Sequence, residues 1–381
     1  MRICFVINRL IQMGPVVVMR DIIRGMQSSE WQIYVVSLRS EDPSISIQNE
    51  FESLSCKCVS FHCSLLDLEL RTKHVAKRLQ QFLSDNKIDI LHTHTYHPDL
   101  VASNLPKGFI PVVTTLHNLC AEDYCYQKGF IQGKYMAFRH LKSLKRLNVF
   151  CAITECVARY YNRIGVECKV IYNGIDESKF GKPSDVDRLS LRRELGILPS
   201  AKVFIYCAGL VHRKNPLSLI RSFVRLLDAG QLSLDDRLIF LGKGPLEDKC
   251  KALVPSKYKA QIIFAGFQQD VVPFYLASDI GVSASLSEGF GLNVVEAVAC
   301  GLPFVASDIP PHREILGKYH ELESLLFEPG SDEALADALL EAYQKTESYP
   351  MGAISNDITS RFSAHKMSTN YQQVYRKMVE Y

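Results

Sequence analysis

The residues best suited to chemistry are two carboxylates set around a glycine turn, in Glu288-Gly289-Phe290-Gly291-Leu292-Asn293-Val294-Val295-Glu296. Gly289 and Gly291 lack a Cβ, so the backbone there can come close to a ligand. A helix beginning near Leu292 would aim unpaired N–H groups at an anion such as a diphosphate. Glu288 falls in the turn and Glu296 about one turn into that helix, so both can face one pocket. Ionised carboxylates only accept hydrogen bonds, which suits the vicinal hydroxyls of a sugar or a ribose. Gly301-Leu302-Pro303 supplies the helix stop. Two glutamates eight positions apart prove little by themselves. The strand, glycines, helix and stop in register make a ligand site.

Histidines form the second set. In Leu91-His92-Thr93-His94, the two rings would share one face of an extended segment. No carboxylate or cysteine nearby completes a metal site, so these read as buried or pocket-lining groups. His117 ends the run Val113-Thr114-Thr115-Leu116, where an imidazole can orient a substrate or help a proton leave a hydroxyl. Gly14 stands between the first apolar run and the first amphipathic segment.

Positioning these groups takes an α/β framework. Apolar runs are expected to form strands at 3–7, 33–37, 88–92, 111–115 and 150–153, then at 169–172, 204–207, 237–241, 262–264, 280–284 and 303–306. Helix-length amphipathic segments separate them, the pattern of parallel sheets with helices on both faces. Such sheets bind ligands beyond the carboxyl ends of their strands. The pattern resets near Val170-Ile171-Tyr172-Asn173-Gly174-Ile175-Asp176, and a polar stretch follows at 177–187. The expected domains are therefore 1–168 and 169–360, with a final helix at 361–381. Phe362, Met367, Tyr371, Tyr375 and Met378 give that helix one apolar face, predicted to pack toward the first domain.

A chain of 381 residues suits two domains. With 47% hydrophobic and 22% charged residues it has a globular composition, and a net charge of +3 gives no reason to expect nucleic-acid binding. No run approaches the roughly 20 apolar residues of a membrane span, and the N-terminal run reads as a strand rather than a leader. A cytoplasmic location is expected. The twelve cysteines are scattered without a C-x-x-C pair. Even Cys56, Cys58, His62 and Cys63 match no common zinc spacing, so reduced thiols are expected. Between 128 and 146 lie Lys128, Lys134, Arg139, Lys142, Lys145 and Arg146, with no acidic residue. Tyr135, Met136, Phe138, Leu141, Leu144 and Leu147 are interleaved and read as the core-facing side of a helix. Its cations are either simply solvated or contact the inner face of the plasma membrane peripherally.

The block from Glu288 to Glu296 resembles the E-x7-E signature of retaining glycosyltransferases with the GT-B fold, above all glycosyltransferase family 4. Other landmarks occur in order: the linker at 170–176, the glycine turn Leu241-Gly242-Lys243-Gly244, Phe264-Ala265-Gly266-Phe267, and Ser307-Asp308 followed by Glu314. The resemblance implies two Rossmann-like parallel-sheet domains facing a cleft, with the C-terminal helix crossing back to the first. It implies a hexosyltransferase that retains anomeric configuration and needs no metal or other cofactor. The donor would be a nucleotide sugar, UDP favoured over GDP, carrying a hexose or N-acetylhexosamine. The acceptor would be a glycan or lipid-linked saccharide in surface polysaccharide synthesis.

By the same resemblance Glu296 binds the ribose, and Glu288 contacts the donor sugar as charge stabiliser or nucleophile. Gly289, Phe290, Gly291, Leu292 and Asn293 hold the donor, Gly266 and Phe267 pass the base, and Gly14 stands for a glycine loop. His117 matches a T-x-H histidine near the transferred sugar. The family's Gly-Arg pair followed by a Lys is altered: Lys214 fits, but Gly209 stands where the arginine is expected. Arg213 is a substitute cation, although neighbours on an extended chain point apart. Asp185-Val186-Asp187 has the letters of a metal motif but lies in the polar stretch after the linker. Rival readings are a nucleotide-sugar epimerase, a phosphorylase-like enzyme and a non-catalytic nucleotide-sugar-binding scaffold.

Overall fold

The computed structural model describes residues 1–41, 45–180 and 185–380. It divides into two compact units: Met1–Gly174 with Ser363–Tyr381, and Ile175–Phe362. Part of the polar stretch at 177–187 falls outside the described residues, and a helix, Asp185–Glu194, begins within its last residues.

The first unit holds β1 (Arg2–Ile7), β2 (Gln32–Ser37), β3 (Lys57–Ser60), β4 (Ile90–His94), β5 (Val112–Leu116), β6 (Val149–Ala152) and β7 (Cys168–Val170). All pair in parallel, in the order β3-β2-β1-β4-β5-β6-β7. Helices cover both faces, so Cys4, Phe5, Val6 and Leu91 are fully buried, as continuous apolar strands require. The chain order reverses between β1 and β4, which opens a crevice at their carboxyl ends.

Three expectations change here. The run at 169–172, assigned to the second domain, is β7, the outer strand of the first sheet; the sequence pattern resets only after it. Strand β3 escaped notice because KCVS pairs along one edge only and keeps half its side chains in solvent. The run at 88–92 moves two residues on, because His92, Thr93 and His94 are themselves sheet residues with no exposed surface.

The C-terminal helix expected at 361–381 is Ala364–Val379, and a separate helix, Met351–Arg361, precedes it. Ser363 caps Ala364–Val379 by accepting from the Lys366 amide at 3.0 Å. Within the first unit, this helix packs on Gly14–Arg24, where Ser368 Oγ donates to the Ile22 carbonyl at 2.7 Å. A Cβ on Gly25 would stand 2.4 Å from Ser368, so the approach depends on that glycine.

The second unit holds β8 (Val203–Cys207), β9 (Arg237–Leu241), β10 (Ile262–Gly266), β11 (Ile280–Ser283), β12 (Phe304–Ser307) and β13 (Leu326–Phe327). Its parallel order, β10-β9-β8-β11-β12-β13, reverses between β8 and β11. The loops leaving those two strands carry Arg213, Lys214 and Glu288. β13, two residues long, left no periodic signal to read.

Candidate active site

Beyond β11 the chain turns through Ser285 and Glu288 into the helix Leu292–Ala299, with Gly291 as N-cap at φ +112°. That backbone angle explains the glycine. Glu288 is only 7% exposed. Its carboxylate accepts from Ser285 Oγ at 2.8 Å and from Arg213 Nη1 at 2.9 Å, and it is ion-paired with Lys214 Nζ. Arg213 Nη1 also donates to the Ser287 carbonyl at 2.6 Å, and the Leu286 amide donates to the Arg213 carbonyl at 2.8 Å. The two loops are thereby fastened together.

Arg213 and Lys214 do not point apart. His212–Lys214 is a 3-10 turn rather than extended chain, and it ends at Asn215 in the left-handed region, φ +49°. The turn brings both cations to one carboxylate. Burial alone would raise the pKa of Glu288, but Lys214 and then Arg213 hold it well below the carboxylate range. The group is an anion at any working pH.

Glu296, on the helix, accepts from Tyr275 Oη at 3.1 Å. It also lies beside the end of β8: the Cys207 thiol is pushed up to about 12 by burial and then by Glu296. Both carboxylates thus gather where the strand order reverses. Phe290 is 3% exposed and packs edge-on to Phe362 at 5.4 Å between centroids, so it offers a ligand its backbone, not its ring. Asn293 is 8% exposed and Leu292 half-buried. Gly266 closes β10 at φ +72°, beside the Lys243 side chain, and Phe267 is 50% exposed. A Cβ on Gly209 would meet only the Lys243 carbonyl, at 3.6 Å, so a side chain would fit there.

His312 was overlooked in the sequence. It has no exposed surface, and Nδ1 lies 2.8 Å from the Ser307 carbonyl. The one hint was its place between Ser307-Asp308 and Glu314 in a familiar run; spacing alone does not mark a histidine.

In the first unit, His94 Nδ1 and His117 Nε2 are 2.9 Å apart. His92 joins Thr115 Oγ1 at 2.8 Å and Tyr375 Oη at 2.7 Å, and Thr115 in turn meets Tyr371 Oη at 2.8 Å. Burial lowers His117 to about 3 and puts His92 and His94 well below the usual histidine range, with the neighbouring rings adding to it. All three are neutral. Gly14 is not in a loop; it is the first residue of the helix Gly14–Arg24, with open space where a Cβ would be.

The helix Phe130–Leu144 keeps only part of the expected inward face: Leu144 is buried and Met136 and Leu141 are half-buried, but Tyr135 and Phe138 face solvent. Its buried side is Gly133, Ala137, His140, Ser143 and Leu144, while Phe130, Ile131, Tyr135 and Phe138 are 72%, 86%, 59% and 64% exposed. Small residues allow the close docking: a Cβ on Gly133 would come within 2.5 Å of the Cys125 backbone. His140 anchors the helix, bonded to Asp99 and Tyr124 at 2.8 Å each. Asp99 overcomes the effect of burial and raises His140 to about 9.

Among the described residues no group of three His, Cys, Asp or Glu side chains could hold a metal, and no helix is long and apolar enough to cross a membrane. None of the twelve cysteines forms a disulfide among the described residues.

Residues 13–179 match the family Glycosyltransferase Family 4, and residues 187–351 match Glycosyl transferases group 1. N-acetyl-alpha-D-glucosaminyl L-malate synthase of Bacillus anthracis is 23% identical over 79% of this chain and 78% of its own. UDP-Gal:alpha-D-GlcNAc-diphosphoundecaprenol alpha-1,3-galactosyltransferase of Escherichia coli is 26% identical, with 79% and 78% covered. An O-antigen biosynthesis glycosyltransferase of Escherichia coli, WclY, is 22% identical over 99% of both chains. Among solved structures, sucrose-phosphate synthase from Thermosynechococcus elongatus superposes with TM-score 0.81 at 16% identity, covering 99% of this chain and 98% of that one. Anabaena Alr3699/HepE, in complex with UDP and glucose, gives 0.78 at 19% identity with 98% of each covered. These likenesses establish two parallel-sheet units of the GT-B fold. The chain belongs to the family 4 glycosyltransferases of that fold.

Proposed function

We propose that this glycosyltransferase moves a hexose or N-acetylhexosamine from a UDP-sugar to a glycan or lipid-linked saccharide in surface polysaccharide synthesis, with retention and without a metal. The observation that carries the reading is the Arg213–Lys214–Glu288 cluster at the strand-order reversal of the second sheet. A departing nucleoside diphosphate gathers negative charge, and fixed cations beside a helix N-terminus stabilise it without reorganising. Glu288 already accepts from Ser285, Arg213 and Lys214, which suits a charge that positions the cations better than a free nucleophile. Glu296 is assigned the ribose hydroxyls, Gly266 and Phe267 the base, and the backbone of Gly289–Asn293 the donor. His117 holds its proton affinity so low that it serves as a hydrogen-bonding group rather than as a base. UDP is favoured because the named galactosyltransferase uses UDP-Gal and the Anabaena protein binds UDP. Calorimetric titration with UDP- and GDP-sugars tests the reading; no binding by any of them would sink it.

A peripheral location at the inner face of the plasma membrane is favoured by one observation. Ile131, Tyr135, Phe138, Lys142 and Lys145 follow one another at helical spacing, all exposed. An exposed apolar patch continued by lysines fits the headgroup boundary of an anionic bilayer.

A further inference from the structure

A second hydrogen-bond acceptor faces the glycine turn. His312 lies fully buried on the helix Pro310–Leu316, and its contacts fix its tautomer. Nδ1 is 2.8 Å from the Ser307 carbonyl, which can only accept, so Nδ1 carries the hydrogen. The Ser307 hydroxyl, 3.4 Å from the same nitrogen, spends its own hydrogen on the Ser285 carbonyl at 2.5 Å. Nε2 is left as a bare lone pair. Burial keeps the ring from taking a second proton, against the pull of Glu288.

Nε2 is itself buried and meets no hydrogen-bond donor among the described residues. Folded proteins rarely leave such an atom unpaired unless something else completes the bond. Its position says what that is. A Cβ on Gly291 would stand 3.5 Å from Nε2 and 3.3 Å from Cδ2, so the ring lies against the backbone of the turn that leads into Leu292–Ala299. Glu288 and Lys214 are both close enough to act on the ring's charge, in opposite directions.

We propose that His312 Nε2 accepts a hydrogen bond from a hydroxyl or amide N–H of the donor sugar and so helps select it. This rests on the reading of the turn at 289–291 as the donor site. A carboxylate or a phosphate oxygen has no hydrogen to give the lone pair, and a deoxy position leaves the acceptor unpaired. Donors bearing a hydrogen-bond donor at the matching carbon are favoured over uronic or deoxy sugars.

His312→Asn separates the two nitrogens, because an Asn amide can still donate to the Ser307 carbonyl but cannot reach the place of Nε2. Titrations use UDP, GDP, UDP-glucose, UDP-galactose, UDP-N-acetylglucosamine, GDP-mannose and the deoxy analogues of whichever donor binds best. The variant is expected to bind the free nucleotide like the parent and the preferred donor about tenfold more weakly. That loss should vanish for one deoxy analogue. In the unaltered protein, the nitrogen resonance of His312 Nε2 should move when the sugar nucleotide is added but not with the nucleotide alone, a readout that needs no variant. Equal affinity of parent and variant for the donor, or an unmoved resonance, overturns the proposal alone. If no nucleotide binds the parent, the donor-site reading falls and the proposal with it.

Discussion

Lys214 and Glu288, 74 positions apart, form a buried ion pair that Arg213 completes from the other carboxylate oxygen. Two cations on one anion leave a net positive charge in a low-dielectric place, which is a site for a further anion. Replacing Glu288 by Gln leaves both cations uncompensated. The free variant should be destabilised by about 3 kcal/mol. UDP, by bringing negative charge, should then raise the melting temperature of the variant more than that of the parent. Transfer should fall at least about a hundredfold, the scale of losing a positioned electrostatic group. Thermal shift with and without UDP, alongside a transfer assay, checks both halves. Binding without transfer by the parent itself would favour a scaffold.

Gly209 has room for a side chain and no left-handed backbone angle to forbid one. Gly209→Arg should therefore fold normally and tighten UDP binding, by about threefold to tenfold after discounting for its exposed position. The gain should shrink as salt is raised, since an exposed charge is screened. Calorimetry at low and high ionic strength checks it; unchanged or weaker binding would place the diphosphate elsewhere.

Much of this architecture was legible because apolar runs and glycine turns are local signals. The turn Gly289–Gly291 and the helix from Leu292 follow from residue types alone. What hid were features set by tertiary partners. Arg213 and Lys214 converge only because Asn215 ends a 3-10 turn, and Tyr135 and Phe138 face solvent only because Gly133 and Ala137 take the buried side. Of the two readings of His92 and His94, buried or pocket-lining, the buried one holds: Thr115 and Tyr375 bond both nitrogens of His92, and His117 meets Nδ1 of His94.

Those buried histidines make stability depend on acid. Their folded pKa values lie below the free value of about 6.5, so the unfolded chain binds more protons as pH drops below that value. Stability is then lost on acidification, by up to about 1.4 kcal/mol per pH unit for each histidine kept neutral. His140 acts in the other direction: its folded value of about 9 is raised, so its contribution is full below about 6.5 and lost as pH rises through 9. Denaturant midpoints from pH 4 to 10 should show a maximum near neutrality. His94→Gln should flatten the acid limb only, and a parallel shift of the whole curve would refute the assignment.

The exposed face of Phe130–Leu144 offers the last test. Burying two large apolar side chains in a headgroup region contributes roughly 1.5–3 kcal/mol each at most, and each nearby lysine about 1 kcal/mol on an anionic surface. The unaltered protein should therefore sediment with phosphatidylglycerol vesicles and much less with phosphatidylcholine. Ile131→Ser with Phe138→Ser should weaken that binding at least tenfold, and Lys142→Gln with Lys145→Gln should also remove most of its salt sensitivity. Because these side chains are 86% and 64% exposed in the case of Ile131 and Phe138, neither pair should change the melting temperature. Vesicle binding that survives both pairs of substitutions would show that another surface meets the lipid.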